Sequence, residues 1–169
     1  MIIIELFKLI FMLFGDRPKK RNEVELMEMK HFPFKGYKYM MWCGYIIYRS
    51  SNKDKIMSEI NTPIFKVSKN HEMIHLRQAV THGRNIWLWY YIKYFFQWLL
   101  GNPFFKSAYY TIPFEVEAYA NENNFSYLDT YDKNKLKRCY TFKRRRKLYK
   151  EVGNKPYAWK YYVQNIKCE

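Results

Sequence analysis

The residue pattern predicts an α+β chain, with a small antiparallel sheet from the first half and a helical second half. Two observations predict it. Between Val24 and Arg49, short stretches rich in Met, Tyr and Phe are broken by Pro33, Gly36 and Gly44, the punctuation of strands joined by turns. From Asn70 onward, apolar residues recur at helical spacing instead, with breaks at Gly83 and at Gly101, Asn102 and Pro103. At 169 residues, 49% hydrophobic and 21% aromatic, the chain is one domain's length and can bury a core, which excludes a disordered or low-complexity protein. Six Gly and six Pro exclude a collagen-like or Pro-rich linker. No run of about eighteen uncharged residues is present to form a membrane span.

Taken in order, residues 1–15 predict an amphipathic helix. Glu5 and Lys8, three apart, share one face and leave the others to Ile2, Ile3, Leu6, Leu9, Ile10, Leu13 and Phe14. The basic cluster Arg17, Lys19, Lys20, Arg21 follows the apolar run, the reverse of a signal peptide. Such a helix packs on its own domain or lies in a membrane interface beside anionic lipid. Asp16 to Arg21, with Pro18, ends it as a charged turn. In the strand region, Tyr37, Tyr39, Met41, Cys43, Tyr45 and Ile47 are expected on one face, with Gly44 as a bulge or a close approach. Ser50 to Asp54 reads as a loop, and Lys55 to Lys69 as a short mixed segment.

A helix over 70–81, capped by Ser68 or Asn70, is expected to end near Gly83. The next, Ile86 to Leu100, is apolar nearly all round, with Lys93 and Gln97 as a narrow polar stripe. Its length of about 22 Å falls short of the hydrocarbon thickness, so it is expected as a helix buried on most sides, with one dipping into a membrane interface as the alternative. A third helix starts at Pro113 and is expected to run from Phe114 to about Leu128.

The formal net charge of +15 is large enough to attract phosphate, nucleic acid or anionic lipid. The excess lies in residues 133–169, where Arg144, Arg145, Arg146 and Lys147 stand among Tyr140, Phe142, Tyr149, Tyr157 and Trp159; Glu151 is the single acid between Lys133 and Lys167. Interleaved cations and aromatics suit a surface that neutralises phosphates while stacking bases, or a segment that anchors to its own domain by its rings. Cys43, Cys139 and Cys168 are few and widely spaced, so neither a disulfide framework nor a CxxC metal site is expected, and a reducing, cytoplasmic setting follows.

The chemistry concentrates in Asn70, His71, Glu72, Met73, Ile74, His75, an HExxH on a helix. Imidazoles four apart project from one face, a turn apart, and can ligate one zinc ion together. Glu72 follows the first ligand and is placed to take a proton from zinc-activated water and deliver it to a leaving nitrogen. A catalytic zinc takes three protein ligands and a water. The downstream run Phe114 to Glu122 offers the third as a carboxylate. Glu115 has Ala118 one turn on, Glu117 has Ala120 and Asn121, and the small residues let two helices approach; both acids fit.

Together these motifs resemble the gluzincin class of zinc metallopeptidases, in which HExxH on one helix is completed by Glu on the next. Prenyl-CAAX-type endopeptidases carry an FExxAD-like third-ligand motif; aligned on Phe114, Glu115 and Ala118, this chain reads FEVEAY, with Tyr119 where that family has Asp. The chain is also similar to small bacterial proteins with an NHExxH helix followed by an FExEAYxxE helix. The resemblance covers Asn70 to Glu122. It implies a single zincin-like domain over 1–169, zinc held by His71, His75 and Glu115 with Glu117 as the alternative, and Glu72 as general base toward a peptide or protein substrate. The Asp of that family holds a ligand His through its second ring nitrogen, and Tyr119 is the residue here that stands in its place. Glu122, seven after Glu115, shares its face and is expected as a solvated acid or a support to a ligand. His82 is expected as a surface or capping residue, His31 as a turn residue. The competing expectation is a non-catalytic zinc-containing module that binds nucleic acid or an anionic membrane through its basic C-terminal segment.

Overall fold

Three strands and five α-helices, joined by two short 3-10 turns, make up the described part of the chain. The computed structural model describes residues 2–15, 17–35, 37–100, 109, 112–135, 138, 141 and 143. The basic aromatic segment expected over 133–169 therefore lies almost wholly outside the described residues.

Strands β1 (Glu25–Met29), β2 (Tyr39–Trp42) and β3 (Tyr45–Arg49) form one sheet in the order β1-β3-β2. β2 and β3 make a hairpin whose two connecting residues, Cys43 and Gly44, have φ of 50° and 82°. Positive φ at both central positions is the turn that matches strand twist, so Gly44 closes a hairpin rather than forming the expected bulge. A Cβ there would also lie 2.4 Å from Cδ of Arg21. The sheet is not the antiparallel one expected: β1 pairs with β3 in parallel, Leu26 opposite Ile46, and only β2 runs antiparallel to it. Residues 30–38 carry the chain past the vacant neighbour position of β1, and the hairpin then inserts β3 there. Parallel pairing is stable where both faces of a sheet are covered, as they are here.

Successive residues Ile46 and Ile47, on opposite faces, are 1% and 0% exposed. Ile46, with Leu26, Tyr39 and Met41, faces a core of Phe65, Leu76, Trp87, Tyr90 and Phe114. Ile47, with Met27, Met29, Met40 and Tyr45, faces Leu9 and Phe32. Tyr45 and Ile47 thus sit across the sheet from Tyr39 and Met41, because the two-residue turn fixes the register and with it the faces.

The second face is covered by α1 (Ile2–Met12). Its Leu9 is buried, the Trp42 indole donates to the Leu9 carbonyl at 2.9 Å, and the Glu5 carboxylate accepts from the backbone N–H of Lys30 (2.8 Å) and His31 (3.0 Å). Burial pulls the Glu5 carboxyl up, but these donors and the His31 ring outweigh it and hold Glu5 below the usual carboxylate range. A depressed carboxylate contributes stability above its unfolded value that is lost as pH falls through the folded one. Amide protection factors over residues 2–14, taken relative to the intrinsic exchange rate at each pH, should therefore fall below about pH 4.5, and Glu5→Gln should flatten that dependence.

On the first face, α2 (Lys53–Glu59) leads into α3 (Pro63–Thr81), which begins two turns before the expected Asn70. Thr62 caps it, accepting from Phe65 N–H at 3.3 Å, with Pro63 in the first turn. Gly83, just past its end, admits α4 (Trp87–Leu100): a Cβ on Gly83 would lie 2.5 Å from the Ala79 carbonyl oxygen and 2.8 Å from Cβ of Tyr90. Gly83→Ala should destabilise the fold by about 1–3 kcal/mol, read by denaturant titration. α4 buries Trp87 and Tyr90 but leaves Phe95, Phe96, Leu99 and Leu100 exposed, so it lines the core with one face instead of being enclosed on most sides. α5 (Pro113–Asn121) packs against α3 and stops seven residues short of the expected Leu128. Among the described residues, no helix is long and apolar enough to cross a membrane.

Candidate metal centre

His71 and His75, one helical turn apart on α3, turn their rings toward α5, and their Nε2 atoms lie 3.1 Å from each other. Glu115, in the first turn of α5, faces both: its Oε2 is 3.5 Å from Nε2 of His71 and its Oε1 is 3.4 Å from Nε2 of His75. All three residues are buried, and their ligand atoms lie within 4.8 Å of one another. Two donors bound at 2.0–2.1 Å in a tetrahedron stand about 3.3 Å apart, so the spacing of these atoms suits a zinc ion.

The outward nitrogens are also engaged. His71 Nδ1 meets Glu122 Oε2 at 3.1 Å, and His75 Nδ1 meets Gln78 Oε1 at 2.8 Å and the Tyr90 hydroxyl at 3.2 Å. The Gln78 amide nitrogen donates to the Phe114 carbonyl (3.0 Å) and to Glu117 Oε2 (2.7 Å), which turns its oxygen toward His75. His75 then donates from Nδ1, and its Nε2 lone pair faces the centre. Glu115 is steadied by the Tyr94 hydroxyl, which donates to its Oε1 at 2.7 Å.

Asn70 does not cap α3, as the sequence suggested. Its amide donates to the carbonyls of Asn121, Glu122 and Asn124 at 3.3, 2.8 and 3.2 Å, taking the free carbonyls at the end of α5 and tying the two helices together. That tie sets Glu122 against His71. Glu122 is 2% exposed, so it is no solvated acid. Tyr119 meets the His71 ring edge to face, with centroids 4.4 Å apart, while the Nδ1 that the resemblance would give to an Asp at that position is held by Glu122.

Glu117 is fully buried but outside the cluster. Its carboxylate accepts from Gln78 on one oxygen and from the Tyr127 hydroxyl, at 2.8 Å, on the other. His82 forms the end of α3 and His31 binds Glu5; neither approaches the centre.

The electrostatics reflect four buried carboxyl groups around two imidazoles. Burial would lower His71, but the adjacent carboxylates of Glu115 and Glu122 outweigh it and push His71 up to about 10. Burial lowers His75 as well, and Glu115 more than restores it. Burial would raise Glu115, yet His75 and His71 hold it well below the usual carboxylate range. Glu72 is raised, by burial first and by Glu115 and Glu122 beyond that, against the pull of the two imidazoles. Glu72 Oε2 and Glu115 Oε2 are buried with no hydrogen-bond partner. Two imidazole nitrogens, a carboxylate with an unsatisfied oxygen and a surplus of buried negative charge fit a divalent borderline cation.

Sequence reasoning did not nominate Gln78, Tyr90 or Tyr94. Gln78 lies three after His75, on its face, and Tyr90 and Tyr94 lie four apart on α4; among seventeen tyrosines that spacing carries little weight. Glu122→Ala, which strips His71 of its carboxylate partner, should weaken zinc affinity by about 10–100-fold in chelator competition. Compared with known proteins, the chain matches no family model, no curated protein and no solved structure.

Proposed function

We propose that the chain is a zinc-dependent hydrolase of peptide bonds. The observation that carries this is the convergence of His71 Nε2, His75 Nε2 and Glu115 carboxylate oxygens from two helices, 3.1–3.5 Å apart, beside a buried Glu72. His71, His75 and Glu115 would hold the ion, which when bound polarises a carbonyl and makes water a nucleophile near neutral pH. Glu72 takes the proton of the attacking water on its unpartnered Oε2 and passes it to the leaving nitrogen. A carboxyl group raised above its ordinary value is suited to both halves of that cycle. Gln78, Glu122 and Tyr94 hold the three ligands in orientation.

A peptide substrate is supported by the surface along the first half of α3, the helix that carries His71 and His75 further on. β1 is one of the sheet's two edge strands, and a cavity of about 890 Å³ runs between it and the first half of α3, lined by Val24, Leu26, Thr62, Phe65, Lys69 and Phe125 among others and ending short of His71 along that helix. An open strand edge beside a cleft accepts extended backbone by adding it to the sheet.

Elemental mass spectrometry of the purified chain tests the proposal. About one zinc per chain is expected, lost in His71→Ala, together with hydrolysis of an unfolded protein substrate that a chelator stops and zinc restores. A chain that takes up no zinc on reconstitution would overturn it.

A further inference from the structure

We propose that the outward face of α1 inserts into the surface of an anionic lipid bilayer. A helix packed on a domain normally turns its apolar stripe inward and charge outward. α1 inverts this. Inward it offers Leu9, Met12 and the Glu5 carboxylate; outward Ile3, Ile4, Phe7, Ile10 and Phe11 are 62%, 71%, 56%, 43% and 71% exposed. At 3.6 residues per turn, the exposed apolar positions from Ile2 to Phe14 cover about 200° of the helix circumference. Lys8 stands at the border of that arc, where its stem can lie along apolar surface while the ammonium reaches a headgroup. Nearby, Phe34 is 63% exposed, its ring centroid 5.2 Å from that of Phe32, which packs with Leu9 of α1.

Charge selects the occupant. Just past α1 the exposed Arg17, Lys19 and Lys20 form a basic turn, on a chain of net charge +15. A second copy would bring the same basic turn to the same face and repel it, whereas an anionic leaflet meets the apolar arc with acyl chains and the cations with phosphates. Nucleic acid would satisfy the cations and leave the phenylalanines in water. The eleven residues of α1 extend about 16 Å, so the helix lies in the plane of the leaflet. Its apolar side chains already point outward while Glu5 and Leu9 hold it to the sheet, and docking requires no rearrangement. The inference stands apart from the metal centre.

Co-sedimentation of the full chain with vesicles of phosphatidylcholine and phosphatidylserine, against vesicles of phosphatidylcholine alone, tests it. Binding is expected to the mixed vesicles and to weaken with added salt. Phe7→Ala with Phe11→Ala, which keeps helix propensity, should lower it at least about tenfold, and Phe7→Leu with Phe11→Leu should retain it. A parent chain that ignores the mixed vesicles overturns the proposal. So does an alanine pair that binds as the parent does, which would give the lipid to basic residues elsewhere. Concentration-dependent self-association abolished by the alanine pair, without vesicle binding, assigns the face to a second copy and overturns it equally.

Discussion

Glu72→Gln is expected to reduce kcat/KM on a protein substrate by about 10²–10⁴-fold, some 3–5 kcal/mol of transition-state stabilisation, while zinc content stays at the parent's level. The substitution keeps the shape of a side chain only 8% exposed and touches none of the three groups proposed as ligands. What it removes is the capacity of the unpartnered Oε2 to accept a proton and give it back. Folding should not suffer, because an amide there removes the cost of burying a carboxylate, which outweighs the pull of His71 and His75 on it. Thermal unfolding and elemental analysis run beside the kinetics separate a lost proton carrier from a lost metal. Turnover within about tenfold of the parent would remove Glu72 from the role of general base.

The second large effect distinguishes the two acids of α5. Glu115→Ala should abolish zinc binding, since it deletes the carboxylate that, among the described residues, faces both Nε2 atoms. Glu117→Ala should keep the zinc but cost about 1–3 kcal/mol of stability, because it deletes a buried acceptor shared by the Gln78 amide and the Tyr127 hydroxyl. Zinc stoichiometry and denaturant midpoints of the two variants should therefore move in opposite columns: metal lost with one, stability lost with the other. Zinc lost with Glu117→Ala and kept with Glu115→Ala would reverse the ligand assignment.

The residues of the candidate site were legible because the spacing of the two histidines is dictated by one helix. Two histidines four apart must share a face, and an acid near the start of the next helix can meet them, which is how His71, His75 and Glu115 come together in space. The choice between Glu115 and Glu117 was not legible from spacing. The two differ in which direction their side chains leave α5, and that depends on how it crosses α3. The depth of Glu122 escaped for a related reason: a position seven residues on shares a face with Glu115, but whether the face is wet there depends on Asn70, fifty-two residues earlier. In the sheet, strand content was legible from residue type, but partner order was not. Alternation along β1 is the same whether β3 beside it runs parallel or antiparallel, and only the insertion of the hairpin decides. The start of α3 was missed because Thr62–Pro63 lies within a polar stretch whose apolar spacing is sparse, so the HExxH itself looked like the beginning.

Asn70 has one more consequence. Residues 122–128 follow α5 in sequence and keep a helical apolar pattern, yet they turn away at Asn121, where the Asn70 amide has taken the carbonyls that the next turn of helix would use. Helix length here is an equilibrium between continuing and folding back, and a single side chain from elsewhere in the chain sets its position. Folding back brings Tyr127 beneath Glu117, and through Gln78 to His75, so the same amide that ends one helix also completes the support under a histidine on another. Asn70 is in this sense a length gauge: it measures α5 against α3 and halts it at the residue where the two helices come into register.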